Sequence, residues 1–516
     1  MGQSRAKGSE NMRRFLSSLM ALMLCFCIGF SAGCQPEEEK SPFLAENIIE
    51  DAYDNYYEIF VYSFYDSNGD GIGDLDGVTS KLEYVRDMGY TGIWLMPIHS
   101  SPSYHKYDVE DYYSIDKKYG TLEDFEELIE KAHSLGIKVI LDLVVNHTSE
   151  DHPWFKQSIL AKLRGEESEY LDFYNYSTEM KSGYTKFGSI YYESRFVADM
   201  PDLNLDNEAV RAEISAIMKY WLDKGADGFR LDACTSYYTE DGAKSVEFVK
   251  WIKEEACKYK KDAYIVGEVW ASASTIQDYY TSGADSFFCF PASQVDGYIN
   301  KTFLSITPAN DYYNAVNKIN AMSGDYIPAP FLCNHDTGRI AGVVGRKENK
   351  VKFAYGLLSM LTGNTFTYYG DEIGMVGSYN DPDKRIGMLW DNAKTNITNA
   401  PPGTTTKEYK FDGVKEQMEN ASSILNYYRL CNNTRNAFPS IMRGTTGRIV
   451  YDDDYVLLMK KTYQDEAVTI AINFATETKQ VEIAGELAQQ LCVGEEKISQ
   501  NGSMLVMPAY SIAILR

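Results

Sequence analysis

Cysteine and histidine are scarce in this chain, with 9 Cys and 6 His among 516 residues. Cys25, Cys27 and Cys34 lie near the N-terminus, and the remaining six lack the close spacing of a zinc or iron–sulfur site. These six are Cys234, Cys257, Cys289, Cys333, Cys431 and Cys492. We therefore expect buried free thiols, with a disulfide as the alternative.

Basic residues are also few, since 50 Lys and Arg stand against 74 Asp and Glu, for a formal net charge of −24 at pH 7. Binding to a nucleic-acid backbone needs a basic surface, so the charge argues against nucleic acid as a partner. The acidity is explained more simply by solubility.

Only one apolar run stands out, at 15–30, and it is too short for an ordinary membrane-spanning helix. Basic residues precede it, and Ser31-Ala32-Gly33 lead into Cys34. The pattern predicts a signal peptide over 1–33 that resembles a bacterial lipoprotein signal, followed by a tether over 34–48. Cys34 would carry the lipid and anchor the protein at the cell surface. Plain secretion is the alternative, because Ser31 stands where an aliphatic residue is usual.

What the chain has in quantity is tyrosine, with 40 Tyr and 13% aromatic residues overall. Tyrosine combines an apolar ring with a hydrogen-bonding tip, which suits clefts that bind carbohydrate. A tyrosine-rich surface does not identify a ligand without further evidence.

Short apolar strands that end in polar residues recur along the chain, at intervals near the 30 or more residues that a βα unit needs. We expect strands at 58–62, 90–97, 137–143, 225–232, 263–269, 285–290, 330–336 and 366–372. The fold class expected is α/β, a (β/α)8 TIM barrel over 49–147 and 201–438. The longer gap after the third strand predicts an inserted domain B at 148–200. Short alternating segments predict an all-β sandwich domain at 439–516.

The loop at 66–74 collects oxygen side chains between glycines. Asp66, Asn68, Asp70 and Asp74, with Ile72 in the same loop, predict a site for a hard cation and favour Ca2+. The loop is not an EF-hand, because its twelfth position is Gly77 where that motif needs Glu. An acidic turn without metal is the alternative.

Three carboxylates follow the expected strands 4, 5 and 7: Asp232, Glu268 and Asp336. Arg230 and Asp232 alternate on one strand, so their side chains face the same way and the guanidinium favours an ionised carboxylate. A retaining glycosidase needs a nucleophilic carboxylate about 5–5.5 Å from a protonated acid. Adjacent strands, about 4.8 Å apart, can provide that separation. A structural ion pair is the alternative interpretation of Arg230 and Asp232.

Four short motifs carry a resemblance that covers the chain from about 47 to 516. They are DLVVNH at 142–147, GFRLD at 228–232, GEVW at 267–270 and NHD at 334–336. In this order and at barrel spacing, they resemble the α-amylase family, glycoside hydrolase family 13. The resemblance implies Asp232 as nucleophile, Glu268 as general acid/base and Asp336 as transition-state stabiliser.

The resemblance also implies which side chains surround the sugar. Those expected to bind substrate are Tyr107, His147, Arg230, His335, Asp381 and Arg385. Tyr107 would be a stacking platform, and Asp381 with Arg385 would contact the adjacent sugar on the non-reducing side. Asp142 would orient Arg230.

Four details of the motifs bear on specificity. MPDLN at 200–204 is similar to a motif intermediate between oligo-1,6-glucosidases and neopullulanases. Ala233 follows the nucleophile where relatives that cleave α-1,6 bonds usually have Val, which favours α-1,4 bonds. Tyr104 stands where exo-acting relatives usually have Asp. The Lys-His pair of typical α-amylases is replaced by 235–238, which leaves the reducing-side subsites undefined.

The sequence thus predicts an exported, calcium-binding, retaining endo-acting α-amylase that cleaves α-1,4-glucosidic bonds in starch and maltodextrins. The alternatives are a 4-α-glucanotransferase, a cyclomaltodextrinase or neopullulanase-like enzyme, and a non-catalytic glucan-binding protein. The expected partner is an α-glucan, the expected membrane attachment is only the lipid at Cys34, and a monomer is expected.

Overall fold

The structure, a computed structural model, describes residues 46–377 and 380–516. The predicted signal peptide, Cys34 and most of the tether lie outside these residues. Eight parallel strands form the central sheet, numbered β1 to β8. They are Asn55–Ile59, Gly92–Leu95, Lys138–Leu143, Gly228–Leu231, Tyr264–Gly267, Ser286–Phe288, Ile327–Ala329 and Thr365–Tyr368.

The sheet closes into a barrel. Its hydrogen-bonded order is β7-β6-β5-β4-β3-β2-β1-β8, so β1 lies between β2 and β8. Between β7 and β8 the seam is closed by a parallel bridge from Phe331 to Phe366 and by Asn364 N donating to Pro328 O at 2.9 Å. The predicted (β/α)8 TIM barrel is therefore confirmed.

Large rings from alternate strand positions fill the barrel interior. Tyr56, Trp94, Ile140, Phe288 and Phe366 are buried members of this core. Residue 92 has to be glycine here, because a Cβ would lie 2.4 Å from Cε1 of the Tyr56 ring.

Eight helices, numbered α1 to α8, accompany the strands. They are Leu75–Asp87, Leu122–Ser134, Glu208–Asp223, Gly242–Tyr259, Ala273–Tyr280, Pro308–Ser323, Glu348–Ser359 and Ile424–Ala437. Several begin where a polar side chain caps the first turn, as at Thr121, whose hydroxyl accepts from Asp124 N while the Asp124 carboxylate accepts from Thr121 N. Shorter helices lie at Val61–Phe64, Tyr298–Thr302, Ile340–Val343, Asp381–Lys384, Val414–Glu419 and Pro439–Arg443. No helix within the described ranges has the length and apolar character needed to cross a membrane.

Two hairpin-like additions follow β2 and β3. His99–Ser100 pairs antiparallel with Asp111–Ile115. After β3, the chain forms the helix Pro153–Arg164 and a three-stranded antiparallel sheet of Tyr176–Ser177, Ile190–Glu193 and Tyr184–Phe187. An antiparallel bridge from His147 to Asp202 ties the two ends of this insertion together beside the barrel mouth.

The C-terminal part is antiparallel and packs as two sheets. Its strands β9 to β16 are Thr445–Ile449, Val456–Tyr463, Glu466–Asn473, Lys479–Glu482, Leu487–Cys492, Ser499–Asn501, Met504–Met507 and Ser511–Leu515. One sheet has the order β9-β10-β11-β16-β13 and the other β12-β15-β14. Side chains of both sheets, among them Leu458 and Leu505, share one core.

Some element boundaries differ from those predicted. The seventh strand ends at Ala329, before the predicted 330–336, because Pro330 cannot donate to a ladder and Asn334 Oδ1 instead accepts from the backbone N of Asp336 and Thr337. Ahead of α8, the helix Val414–Glu419 ends at Asn420, which is extended, and α8 begins at the cap Ser423. The six cysteines of the described ranges are all free thiols.

Candidate active site

Arg230, on β4, lies fully buried at the centre of a group of carboxylates. Its Nη1 donates to Oδ1 of Asp142, its register partner on β3, at 2.8 Å, and to Oδ1 of Asp232 at 2.6 Å. Its Nη2 donates to Glu268 Oε2 at 2.7 Å. The Trp94 ring lies below, with its centroid 5.1 Å from the guanidinium carbon. One cation therefore holds acids from three adjacent strands.

Strand register places the two predicted catalytic acids side by side. Leu231 of β4 is paired with Gly267 of β5, and the next residues along these strands are Asp232 and Glu268. Ala233 then adopts a left-handed backbone with φ of 46° and donates its N–H to Glu268 Oε2 at 3.0 Å. The arrangement is compatible with the carboxyl separation of about 5–5.5 Å that a retaining mechanism requires.

The surroundings of Glu268 favour its protonated form. Burial, with the nearby charge of Asp232, raises the pKa of Glu268 even though Arg230 opposes this shift. Glu268 Oε2 is occupied by Arg230 and Ala233, so a proton on this acid would lie on Oε1. Asp232 is bonded through Oδ1, which leaves its Oδ2 without a partner among the described residues.

Asp336 stands opposite this pair, in the loop that follows β7. His335 Nε2 lies 3.0 Å from Asp336 Oδ2, and Glu58 Oε1 lies 2.5 Å from His335 Nδ1. Burial alone would lower the pKa of His335, but Asp336 and Glu58 raise it to about 9. The charge and hydrogen bond of His335, together with Arg385, hold the pKa of Asp336 below its usual range despite burial. Asp336 is thus a fixed anion at neutral pH.

The predicted pair Asp381 and Arg385 takes two different positions. Arg385 is buried, and its Nη2 donates to Asp336 Oδ1 at 2.8 Å while its Nη1 donates to the Tyr104 hydroxyl at 3.3 Å. Asp381 is exposed and pairs with Lys384, whose Nζ lies 2.7 Å from Asp381 Oδ1. Arg385 therefore positions Asp336, whereas the ion pair of Asp381 is with Lys384 and not with a residue of the acid cluster.

Tyr107 is half-buried at the mouth of the barrel, with its hydroxyl held from two sides. It donates to Asp142 Oδ2 at 3.0 Å and lies 2.8 Å from His335 Nε2. The preceding Lys106 adopts a left-handed φ of 67°, and its Nζ pairs with Asp116 Oδ2 at 2.7 Å. This buried ion pair keeps a strained backbone in place and so fixes the Tyr107 ring.

His147 follows β3 at the base of the insertion. Its Nε2 lies 3.2 Å from Tyr107 O, and the Asn146 amide lies 3.4 Å from its Nδ1. Burial lowers the pKa of His147, so the imidazole is neutral at pH 7 and donates to Tyr107. The half-exposed ring of Phe196 lies 5.2 Å away. His147 thus supports Tyr107 from the side of the insertion.

Two residues of this site were not among the site residues predicted from the sequence. Glu58 on β1 is a buried charge that pairs with His335, and Trp94 on β2 underlies Arg230. A glutamate within the apolar strand Asn55–Ile59 was a signal for the first, because a buried charge needs a partner. Trp94 had no such signal, since a buried tryptophan is equally a core residue.

The predicted calcium loop is ordered by its own side chains. Asp66 accepts from Gly69 N at 2.6 Å and Gly71 N at 2.8 Å, while Asp74 caps α1 through Gly77 N at 2.7 Å. Across the described ranges, no three His, Cys, Asp or Glu side chains converge closely enough to hold a metal ion. The donor set, with the amide of Asn68 and the carboxylate of Asp70, consists of oxygen, which fits Ca2+ in chemistry. Calcium at this loop stays a prediction.

Comparison with known proteins agrees with this geometry. Residues 58–444 match the family described as "Alpha amylase, catalytic domain". The chain is 36% identical over 474 residues to Alpha-amylase 3 of Dictyoglomus thermophilum, covering 89% of this chain and 92% of the relative. It is 29% identical over 509 residues to Oligo-1,6-glucosidase of Parageobacillus thermoglucosidasius, covering 82% and 90%.

A solved structure shows the same architecture. Eubacterium rectale Amy13B superimposes with a TM-score of 0.87 at 40% sequence identity, covering 91% of this chain and 96% of that one. The sequence match, the shared fold and the cluster of acids at the C-terminal ends of the strands lead to one assignment. The chain belongs to the α-amylase family, glycoside hydrolase family 13, and is an O-glycosyl hydrolase.

Proposed function

We propose that the protein is a retaining, endo-acting α-amylase that hydrolyses α-1,4-glucosidic bonds in starch and maltodextrins by double displacement. The observation that carries this proposal is the attachment of Asp232 and Glu268 to adjacent nitrogens of the Arg230 guanidinium. This contact brings the two carboxyl groups together at one point of the barrel mouth. The names of the α-amylase relatives support the substrate class.

In the first step, Asp232 Oδ2 attacks the anomeric carbon, and the bond from this carbon to the glycosidic oxygen breaks. Glu268 transfers its proton from Oε1 to that oxygen, so the leaving sugar departs as an alcohol. The raised pKa of Glu268 supports the acid role, because a general acid has to hold its proton near neutral pH. The product of this step is a glycosyl ester on Asp232.

In the second step, a water molecule replaces the leaving sugar. The Glu268 carboxylate takes a proton from this water, the oxygen bonds to the anomeric carbon, and the ester bond to Asp232 breaks. Asp336 stays ionised throughout and stabilises the positive charge that develops on the sugar ring. The half-exposed Tyr107 ring contacts the same sugar, with its hydroxyl anchored to Asp142.

The bond type and cleavage pattern rest on particular residues. Ala233 favours α-1,4 over α-1,6 bonds, although one relative is named Oligo-1,6-glucosidase. Tyr104 lies against Arg385, with its ring centroid 5.9 Å from the guanidinium carbon, and adds no carboxylate that would grip a chain end. Internal cleavage of long chains is therefore the proposed mode.

A chromatographic time course with maltoheptaose and soluble starch tests this proposal. Early mixed short maltodextrins and a rapid fall in starch viscosity are expected. Products longer than maltoheptaose would assign a 4-α-glucanotransferase instead, and glucose alone would assign an exo-glucosidase. Asp232→Asn should abolish turnover and retain glucan binding. Turnover as fast as that of the parent would overturn the role of Asp232.

Two further properties are proposed on sequence grounds. We propose that the loop at 66–74 binds Ca2+ and so stiffens the connection between β1 and α1. We also propose export with a lipid on Cys34, a residue outside the described ranges. Mass spectrometry of the mature N-terminus tests the second, because an unmodified Cys34, or a start elsewhere, would contradict the lipid anchor.

A further inference from the structure

A cavity of about 440 Å³ opens where barrel helices meet the C-terminal sheets, away from the catalytic acids. Phe303 and Phe353 line it from the barrel side, and Tyr455, Phe474 and Tyr510 line it from the C-terminal side. Its size is within the about 300–1,000 Å³ usual for small-molecule sites. None of the residues assigned to the catalytic site lines this cavity.

The aromatic rings of this cavity are arranged as a continuous wall. The Phe353 ring lies 4.9 Å from the Tyr510 ring and 5.5 Å from the Phe474 ring, measured between centroids. Phe303 is 6.1 Å from Phe353 and is partly exposed. Phe353 and Phe474 are buried, so the more exposed rings of Tyr455 and Phe303 are those that can pack against the apolar C–H face of a sugar.

Tyr510 is held in this wall at a cost in backbone energy. Its φ is 51°, a left-handed conformation that is uncommon for a residue other than glycine. No described residue hydrogen-bonds its hydroxyl, and the same holds for the Tyr455 hydroxyl. This turn conformation places Tyr510 in the cavity lining with a hydroxyl that no described residue binds.

Charged and polar groups form the rim. Lys479 Nζ lies 3.2 Å from Asp453 Oδ2 and 3.5 Å from Glu477 Oε1, and it lies 5.7 Å from the centroid of the Tyr455 ring. These groups can donate and accept hydrogen bonds at the edge of the aromatic wall. Such a combination suits a ligand with both C–H faces and hydroxyl groups, and it suits a lipid tail poorly.

The adjoining surface is unusually apolar. Leu304 and Ile306, in the segment between Phe303 and Pro308, are 82% and 81% exposed. A ligand larger than the cavity itself would also cover these two side chains. A polymeric chain would fill the cavity with one part and cover these side chains with another.

We propose that this cavity is a second, non-catalytic binding site for an α-glucan chain. The inference rests on the proposed function, because the glucan is the ligand that the catalytic site would bring to the protein. A site between the barrel and the C-terminal sheets would hold a long chain or granule near the enzyme while another part of the polymer enters the active site.

The test measures starch binding without turnover. Retention on amylopectin is compared for the full chain with Asp232→Asn, and for the same protein carrying Tyr455→Ala or Lys479→Ala in addition. Tyr326→Ala is the matched control, because Tyr326 is 40% exposed against 36% for Tyr455 and lies outside the cavity. We expect Tyr455→Ala to weaken retention roughly three- to tenfold, with the control unchanged.

A second measurement separates binding from folding. In enzymes with Asp232 intact, Tyr455→Ala should leave the turnover of maltoheptaose unchanged. Retention equal to that of the parent would overturn the second site, and so would an equal loss of retention and of maltoheptaose turnover. Failure of the parent enzyme to cleave maltoheptaose would overturn the proposed function, and this inference with it, so the two failures are distinguishable.

Discussion

Glu58 Oε1 lies 2.5 Å from His335 Nδ1, although 277 residues separate the two along the chain. Both side chains are about 1% exposed. Glu58 comes from β1 and His335 from the loop after β7, so their contact spans the end of β8, which lies between these two strands. Through His335 the charge of Glu58 reaches Asp336, so a residue of the first strand supports the carboxylate in the loop after β7.

Glu58→Gln should change how stability depends on pH. The raised pKa of His335, about 9, means that its stabilisation is complete below about pH 6.5 and is lost as pH rises toward 9. Removing the Glu58 charge lowers the pKa of His335, so the loss of stability should begin at lower pH in the variant. Near pH 8 the variant should be about 1–3 kcal/mol less stable than the parent. Thermal midpoints measured from pH 6 to 9 check this.

Glu83→Gln serves as the control for that experiment, because Glu83 is 63% exposed and pairs only at the surface with Lys131. Its midpoints should follow those of the parent at every pH. Identical pH curves for Glu58→Gln and the parent would show that His335 does not carry the charge assigned to it.

Glu268→Gln should lower turnover of maltodextrins by about 10²–10⁴-fold, because general acid catalysis supplies a factor of this size. An aryl glucoside whose phenol is already a good leaving group needs little protonation, so its first step should be far less affected. The measurement is the rate of phenol release by the variant and the parent in single turnover. Equal losses for both substrates would contradict the acid role of Glu268.

Gly92→Ala should destabilise the barrel, because the added Cβ would lie 2.4 Å from the Tyr56 ring inside a packed core. A loss of about 1–3 kcal/mol in the free energy of unfolding is expected. Gly242→Ala is the matched control, since a Cβ there meets nothing within 4 Å at the start of α4. The control should fall within about 0.5 kcal/mol of the parent. Urea unfolding distinguishes the two, and equal stability would show that the core can make room at Gly92.

Removal of Ca2+ with a chelator should lower the thermal midpoint of the parent, because an ion that binds only the folded state stabilises it. Asp70→Ala should abolish this dependence, because it removes one of the proposed ligands. The change should disturb the loop little otherwise, since the exposed Asp70 carboxylate accepts only from Ile72 N. Asp76→Ala, an exposed position in the first turn of α1, should retain it. If the thermal midpoint of the parent does not change when Ca2+ is added or removed, the acidic loop is stable without metal.

The barrel and its acids were predictable because they rest on local patterns. Asp232 and Glu268 each follow a short apolar strand, and strand ends of a parallel barrel share one face. The support of Asp336 by Glu58 was not predictable, since it depends on how β1 approaches the loop after β7. No local sequence pattern indicates how close Glu58 comes to His335.

The C-terminal strands show a second limit. Lys479–Glu482 and Leu487–Cys492 each have only one fully buried side chain. A strand of that kind lacks the alternation of apolar and polar residues that identifies a half-buried strand. Its place in the sheet is decided by partners far along the chain, such as Ser511–Leu515.

The pairing of β1 with β8 has a consequence for how the protein is made. Asn55 and Thr365 are register partners, so the barrel cannot close until more than 300 further residues have left the ribosome. Contacts between such distant segments form slowly, because the intervening chain must first lose its freedom. Glu58 and His335 meet only across that closed seam. Catalytic competence is therefore among the last properties that a growing chain acquires.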